Sequence, residues 1–315
     1  MTEVFLFFWV LSGLLILLER RIIIIVIYLG IFSLVTSLCF LLFAAPDVAM
    51  AEAAISTFST IFFIVAFEKY YGLGAEAGLS STARENPQEK KPSLRIKKHI
   101  LPLSFTVLLF LLFIYFLPSG NVNPYLRDQY LAMFTRDIGG ENAVTAIYLV
   151  YRMYDTLFEA LMLLVSVVAV VHLSHYKDVT VSDGVRSDIN RSVIGSITIR
   201  AICPLILVFG IYLITNGHIT PGGGFQGGVA LAAFFVCRYF IYDIYDTQAG
   251  RIILMEKTVF AAIILIPIFF IFFGAYQVFP QWRHVYLIAM NSLIGMKVAC
   301  GFIVIFYRYI AFEKR

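Results

Sequence analysis

The residues of this sequence that could do chemistry are charged side chains set inside long apolar runs. YRMYDTLFEALMLL places Arg152, Asp155 and Glu159 three and four residues apart, hence on one face of a helix. Arg152 and Asp155 can pair and anchor the helix at an interface, whereas Glu159 lies a turn deeper as a carboxylate able to titrate. AAPDVAMAEAAIST carries Asp47 and Glu52. Pro46 suits a first helical turn, so Asp47 is either a helix-end charge favoured by the macrodipole or part of a path. Glu52 sits among Met50, Ala51, Ala53 and Ala54, small neighbours that let another helix approach. There it could carry a proton reversibly or hold a static hydrogen bond. Lys297, midway along IAMNSLIGMKVACGFIVIF, is too central to snorkel to either surface, which leaves a structural pair or a place on an ion path. Arg200 lies near enough to a span end to reach the surface and reads as structural.

Two further features need weighing. His218, in ITNGHITPGGGFQGGV, is an ordinary loop histidine or a proton-entry group. Gly222, Gly224 and Gly227 formally spell G-x-G-x-x-G, but no βαβ unit surrounds them. With Gly223 and Gly228 they suit close backbone approach or a break in a helix. No residue set resembles a hydrolytic triad, a metal site or a haem pair, so no cofactor is expected in this chain. Cys39, Cys203, Cys237 and Cys300 all lie in apolar runs and read as buried thiols.

The elements that must position these groups are membrane spans. Of 315 residues, 60% are hydrophobic and only 14% charged, against about 45–50% and 25% in soluble domains. Runs of about 20 apolar residues cross the hydrocarbon core. They fall near 3–18, 22–43, 48–68, 99–117, 153–173, 193–215, 225–243, 257–279 and 284–309, with a weaker helical stretch at 141–152. The expected fold is therefore all-α, polytopic, with about nine transmembrane helices. Met1–Leu18 lacks a basic leader and cleavage site and reads as the first span. Alternating the loops puts 18 Lys and Arg residues on one side and 4 on the other. The rule that cytoplasmic loops are basic then sets the N-terminus outside and the C-terminus in the cytoplasm. A net charge of +4 argues for no nucleic-acid partner.

Charge and Pro/Gly content mark 72–98 and 177–191 as cytoplasmic linkers. They divide the chain into a three-helix block (1–71), a two-helix block (99–176) and a four-helix block (192–315). The blocks do not repeat one another, which argues against an inverted-repeat transporter made from this chain alone. A charge at bilayer depth costs about 2.5–3.5 kcal/mol on insertion scales, so those named above need partners or a purpose.

Three stretches carry a resemblance. APDVAMAEAAIS resembles the C-terminal segment of the Mrp antiporter A subunit and the D-type component of membrane-bound hydrogenases. NAVTAIYLVYRMYDTLFEALMLL resembles the hydrogenase E-subunit type. GHITPGGGFQGGVALAAFF with NSLIGMKVACGFIVIF resembles the Mrp B subunit and hydrogenase F-subunit type. The resemblance implies a fusion of adjacent subunits of an Mrp-type sodium/proton antiport module, in the cytoplasmic (inner) membrane. It implies that Glu52, Glu159, Lys297 and His218 match family residues proposed along a cation or proton route, with Na+ and H+ as the ions moved. It further implies other antiporter-type subunits as partners, and hydrogenase or iron–sulfur subunits if the parent is a redox complex. The long proton-pumping antiporter domain of a full A subunit is absent from this sequence. The alternative is a structural adaptor that joins an antiporter module to a redox arm without conducting ions.

Overall fold

The computed structural model describes residues 2–71, 104–115 apart from 106 and 113, 125–173, 193–241, 249–272 and 278–311, and all regular structure among them is helical. Among the described residues six helices are long and apolar enough to cross a membrane: Ile22–Leu42, Pro46–Phe67, Met153–Leu173, Gly195–Asn216, Gly250–Phe270 and Pro280–Tyr309. Glu3–Leu18 and Gly224–Arg238 are shorter apolar helices. The chain is a multi-pass membrane protein. The expected span at 99–117 falls largely outside the described residues, and the linkers at 72–98 and 177–191 almost wholly so.

Two compact units are present. One comprises Tyr71–Tyr130, where 104–105, 107–112 and 114–115 are helical and Arg127 pairs with Asp128 at 2.9 Å. The other comprises Met1–Tyr70 with Leu131–Arg315 and holds every residue discussed below. Its helices are α1 (Thr2–Leu18), α2 (Ile22–Leu42), α3 (Pro46–Tyr71), α4 (Tyr125–Ile138, which begins in the first unit), α5 (Ala143–Ala146), α6 (Met153–Leu173), α7 (Val193–Asn216), α8 (Gly224–Ile241), α9 (Ala249–Pro267) and α10 (Arg283–Ala311).

Helix α10 is the central element. It packs against α8, α9 and α6, while α8 also packs against α7. Tyr286, Leu287, Met290, Ile294, Val298 and Phe306 of α10 are all buried. Helices in lipid gain no hydrophobic drive from meeting each other, so close approach must supply the contact. On α8, Gly224 and Gly228 supply it: a Cβ on Gly224 would lie 2.5 Å from the Asn291 carbonyl oxygen, and one on Gly228 2.5 Å from that of Gly295. Aromatic edges tie α3 to α10, with ring centroids 4.7 Å apart for Phe58 and Phe302 and 4.8 Å for Phe62 and Tyr309.

Helix α2 ends in a left-handed turn. The Ala45 N–H reaches the Phe40 carbonyl at 2.9 Å and the Ala44 N–H reaches Leu41 at 3.1 Å, with Ala44 at φ 56°. This is the hydrogen-bond pattern of a Schellman cap, normally served by glycine. It swings the chain straight into Pro46 and Asp47.

The weak helical stretch before α6 is α5 running into a π-helical turn, Ile147–Tyr151. Its i→i+5 bond, from the Arg152 N–H to the Ile147 carbonyl at 2.7 Å, displaces the usual ladder. The Thr156 hydroxyl donates to the carbonyl of Tyr148 at 2.6 Å, and the Tyr286 hydroxyl to that of Leu149 at 3.0 Å. Backbone oxygens released by a bulge must find such donors where water is excluded.

One boundary differs from the sequence reading. The span expected from residue 257 belongs to a helix that starts at Ala249 and to an apolar window that opens at Gly250. Arg251, Glu256 and Lys257 resemble a polar boundary in sequence. In the fold Glu256 is neutralised across the helix interface, so the apolar helix continues through it.

Candidate functional site

Asp47 lies in the first turn of α3, as its position after Pro46 suggests, and it is buried. Its carboxylate is occupied by long-range donors. Oδ1 accepts from Asn142 Nδ2 and from the Gly222 N–H, each at 3.0 Å, and Gln226 Nε2 donates to the Asp47 carbonyl at 3.4 Å. Asn142 is also the N-cap of α5, with Oδ1 accepting from the Val144 N–H at 2.9 Å and the Thr145 N–H at 3.4 Å. Its amide nitrogen reaches the carbonyls of Gly217 and Thr220 at 3.2 and 3.1 Å. Thr145 donates its hydroxyl proton to Gly217 at 2.5 Å. Three distant stretches of the chain thus meet at one buried polar node.

The glycine-rich segment is the turn between α7 and α8. Gly222 and Gly223 have φ of 147° and 155°, a region that side chains rarely adopt. A Cβ on Gly223 would strike the Tyr148 hydroxyl. That hydroxyl donates to Asn291 Oδ1 at 2.7 Å, and the Gly224 N–H donates to the same oxygen at 3.2 Å. The turn therefore breaks the helix and lets backbones meet at van der Waals distance.

His218 belongs to this turn and is buried, with its ring centroid 5.8 Å from that of His284. Its carbonyl accepts the N–H groups of Glu141 and Asn142 at 2.9 and 3.0 Å. Burial, and next the neighbouring His284, lower its pKa from 6.5. Nδ1 is buried without a hydrogen-bond partner among the described residues.

The remaining charges lie at other depths. Glu52 is half-buried and accepts from the Ser33 hydroxyl of α2. Four residues along, Ser37 donates to the Ala49 carbonyl at 2.7 Å, so two α2 serines serve α3. Arg152 and Asp155 form an exposed ion pair at 2.5 Å, the anchoring arrangement their spacing suggests. Glu159, within the apolar window of α6, points outward and is exposed. Tyr154, Phe158, Met162 and Val165 are exposed on the same helix.

Lys297 is 1% exposed and forms an ion pair with Glu256 of α9, which is fully buried. Its ammonium also stands 5.3 Å from the centre of the Phe260 ring. Neither Glu159 nor Glu52 is its partner. The sequence pattern does not single out Glu256, Asn142, Tyr148, Gln226 or Asn291. Asn142 just before an apolar helical stretch is an N-cap signal; Glu256, one residue before Lys257, reads as part of a loop. Among the described residues no cluster of three or more His, Cys, Asp or Glu side chains could hold a metal ion.

Comparison with known proteins places these parts. Residues 194–312 match the family described as a domain related to the MnhB subunit of Na+/H+ antiporter. Residues 7–71 match the MbhD family, described as the D component of MBH. The chain is 31% identical over 153 residues to "Putative antiporter subunit mnhA2" of Staphylococcus haemolyticus, a match covering 49% of this chain and 17% of that protein. The same-named protein of Staphylococcus aureus is 30% identical over the same length. The chain thus spans about a sixth (17%) of the curated relatives it matches. Among solved structures, the Mrp complex from Dietzia sp. DQ12-45-1b superposes with a TM-score of 0.73 at 16% identity, covering 98% of this chain and 34% of that one. A chain of the archaeal membrane-bound sulfane sulfur reductase superposes at 0.56 with 24% identity, covering 70% and 100%. At those identities the likeness is one of fold.

Proposed function

We propose that this chain, an Mrp A/B-type fusion that joins an MbhD segment to an MnhB-related domain, is a membrane subunit of a sodium/proton-translocating module and lines part of its cation or proton path. It sits in the cytoplasmic membrane and works beside other antiporter-type subunits. The parent assembly is a Na+/H+ antiporter or a related respiratory complex, in which hydrogenase or iron–sulfur subunits would be neighbours. Na+ and H+ are its cargo.

The observation that carries this reading is Glu159. An outward carboxylate within an apolar span costs about 2.5–3.5 kcal/mol in lipid, and no ion-pair partner is found for it among the described residues. A polar path or a partner subunit on that face removes the cost. Glu52, with one serine donor, and Lys297 extend the set of intramembrane charges, with Asp155 at the mouth of α6 and His218 at the glycine-rich turn. Neutralising Glu159 or Glu52 (Glu159→Gln, Glu52→Gln) should abolish sodium-dependent proton exchange in membrane vesicles while the complex still copurifies intact. Normal exchange by both assembled variants would sink the path assignment. Copurification also names the parent: recovery of an iron–sulfur protein would mean a redox complex.

Asp47 favours the adaptor reading at one position. Its carboxylate is engaged by donors of the fold, so we assign it to joining the blocks rather than to carrying ions.

A further inference from the structure

We infer that Glu256 and Lys297 form a proton-relay site between α9 and α10, with the free carboxylate oxygen of Glu256 as the port that takes up or gives out the proton. The inference rests on the reading of this chain as part of an ion-translocating module, and adds to it a carboxylate that neither the sequence motifs nor the family resemblance singles out.

The geometry has three parts. Glu256 is fully buried and Lys297 is 1% exposed, and the ammonium engages Oε1. Glu256 Oε2 is buried and has no hydrogen-bond partner among the described residues. The Phe260 ring covers the ammonium from one side at 5.3 Å. A pair retained for stability alone would need its second oxygen satisfied, because an unmet acceptor on a buried charge is costly. Apolar residues of similar volume would hold α9 against α10 as well or better. The arrangement is a buried charge pair with one site left open for a ligand.

That ligand is a proton. Sodium requires several oxygen ligands, and among the described residues no cluster of three or more His, Cys, Asp or Glu side chains is present to supply them. The step balances without redox chemistry: a proton binds Glu256 Oε2, Lys297 releases one from its ammonium to a water molecule of the path, and the resulting acid–amine pair has the same net charge as the ion pair. Transfer of the carboxyl proton to the amine then restores Lys297 as ammonium and Glu256 as carboxylate. Cys300 lies three residues from Lys297 on α10, and α6, which packs against both α9 and α10, carries Asp155 and Glu159 on its exposed side, away from the buried pair.

The test uses the whole complex in membrane vesicles and compares a double variant, E256M/K297M, with wild type. The expected result is normal assembly with proton exchange, followed by a pH-sensitive dye, reduced at least tenfold. Exchange at the wild-type rate would overturn the relay and leave the pair structural. Infrared difference spectra between acid and neutral pH supply an arm independent of transport. A protonated-carboxyl band present in wild type and lost in Glu256→Gln supports the site even if the double variant fails to assemble; the same band unchanged in Glu256→Gln overturns it. A wild-type complex that exchanges no ions would overturn the proposed function instead, while the infrared band still decides Glu256.

Discussion

At Asp47 a single carboxylate oxygen receives a side-chain amide and a backbone N–H from two other parts of the chain. Removing it (Asp47→Ala) strands the buried Gly222 N–H, at a cost of about 1–3 kcal/mol, while Asn142 Nδ2 keeps the carbonyls of Gly217 and Thr220. The detergent-solubilised protein should melt several degrees lower, and Asp47→Asn, whose amide oxygen can still accept, should recover most of that loss. The neighbouring His218 imposes a pH dependence. Its folded pKa lies below the ordinary 6.5, so near that pH the unfolded chain binds more protons and stability rises with pH. The contribution is complete above about 6.5 and fades as pH falls through the lowered folded value. Amide hydrogen exchange across 216–222 should therefore speed up relative to the core on acidification, and His218→Asn should flatten that response.

Among the elements, the contact of α8 with α10 is set by residue size rather than by polarity. Gly228 faces the Gly295 carbonyl and Val298 Cβ, at 2.5 and 2.8 Å from where its own Cβ would stand. Gly228→Ala should force α8 off α10 and cost about 1–3 kcal/mol, the usual range for overpacking, read as a lower midpoint of thermal unfolding. Gly250, with nothing within 4 Å among the described residues, is the control: Gly250→Ala should be neutral or gain up to about 1 kcal/mol of helix propensity. At the end of α2, Ala44 holds a left-handed conformation at φ 56°. Ala44→Gly should stabilise the turn by about 1 kcal/mol, since an L side chain is strained there.

For the whole molecule, the polar node at Asp47 binds the N-terminal helices to the turn between α7 and α8 without using the linkers. Two co-expressed fragments, residues 1–98 and 99–315, should therefore copurify through a tag on either one. Asp47→Ala should weaken that recovery, whereas changes within 72–98 should not. Fragments that never associate would mean that the covalent connection, not the node, holds the blocks together.

Much of this is legible in the residues themselves. Long apolar runs dictate helices that cross a membrane, because only a helix satisfies its own backbone there. The spacing of Arg152 and Asp155 dictates their pair, and the glycines of ITPGGGFQGG dictate a broken, close-packed turn. What only the tertiary structure decided is which charge meets which. Asp47 and Asn142 are 95 residues apart and Lys297 and Glu256 are 41 apart, separations for which helical periodicity carries no information. Glu256 is hidden for the same reason: beside Lys257 and Arg251 it marks a loop in sequence, and it becomes a membrane residue only once α10 brings an ammonium to it. A buried charge is tolerable only with its partner in place, so the fold, not the local pattern, determined where the polar interior of this protein lies.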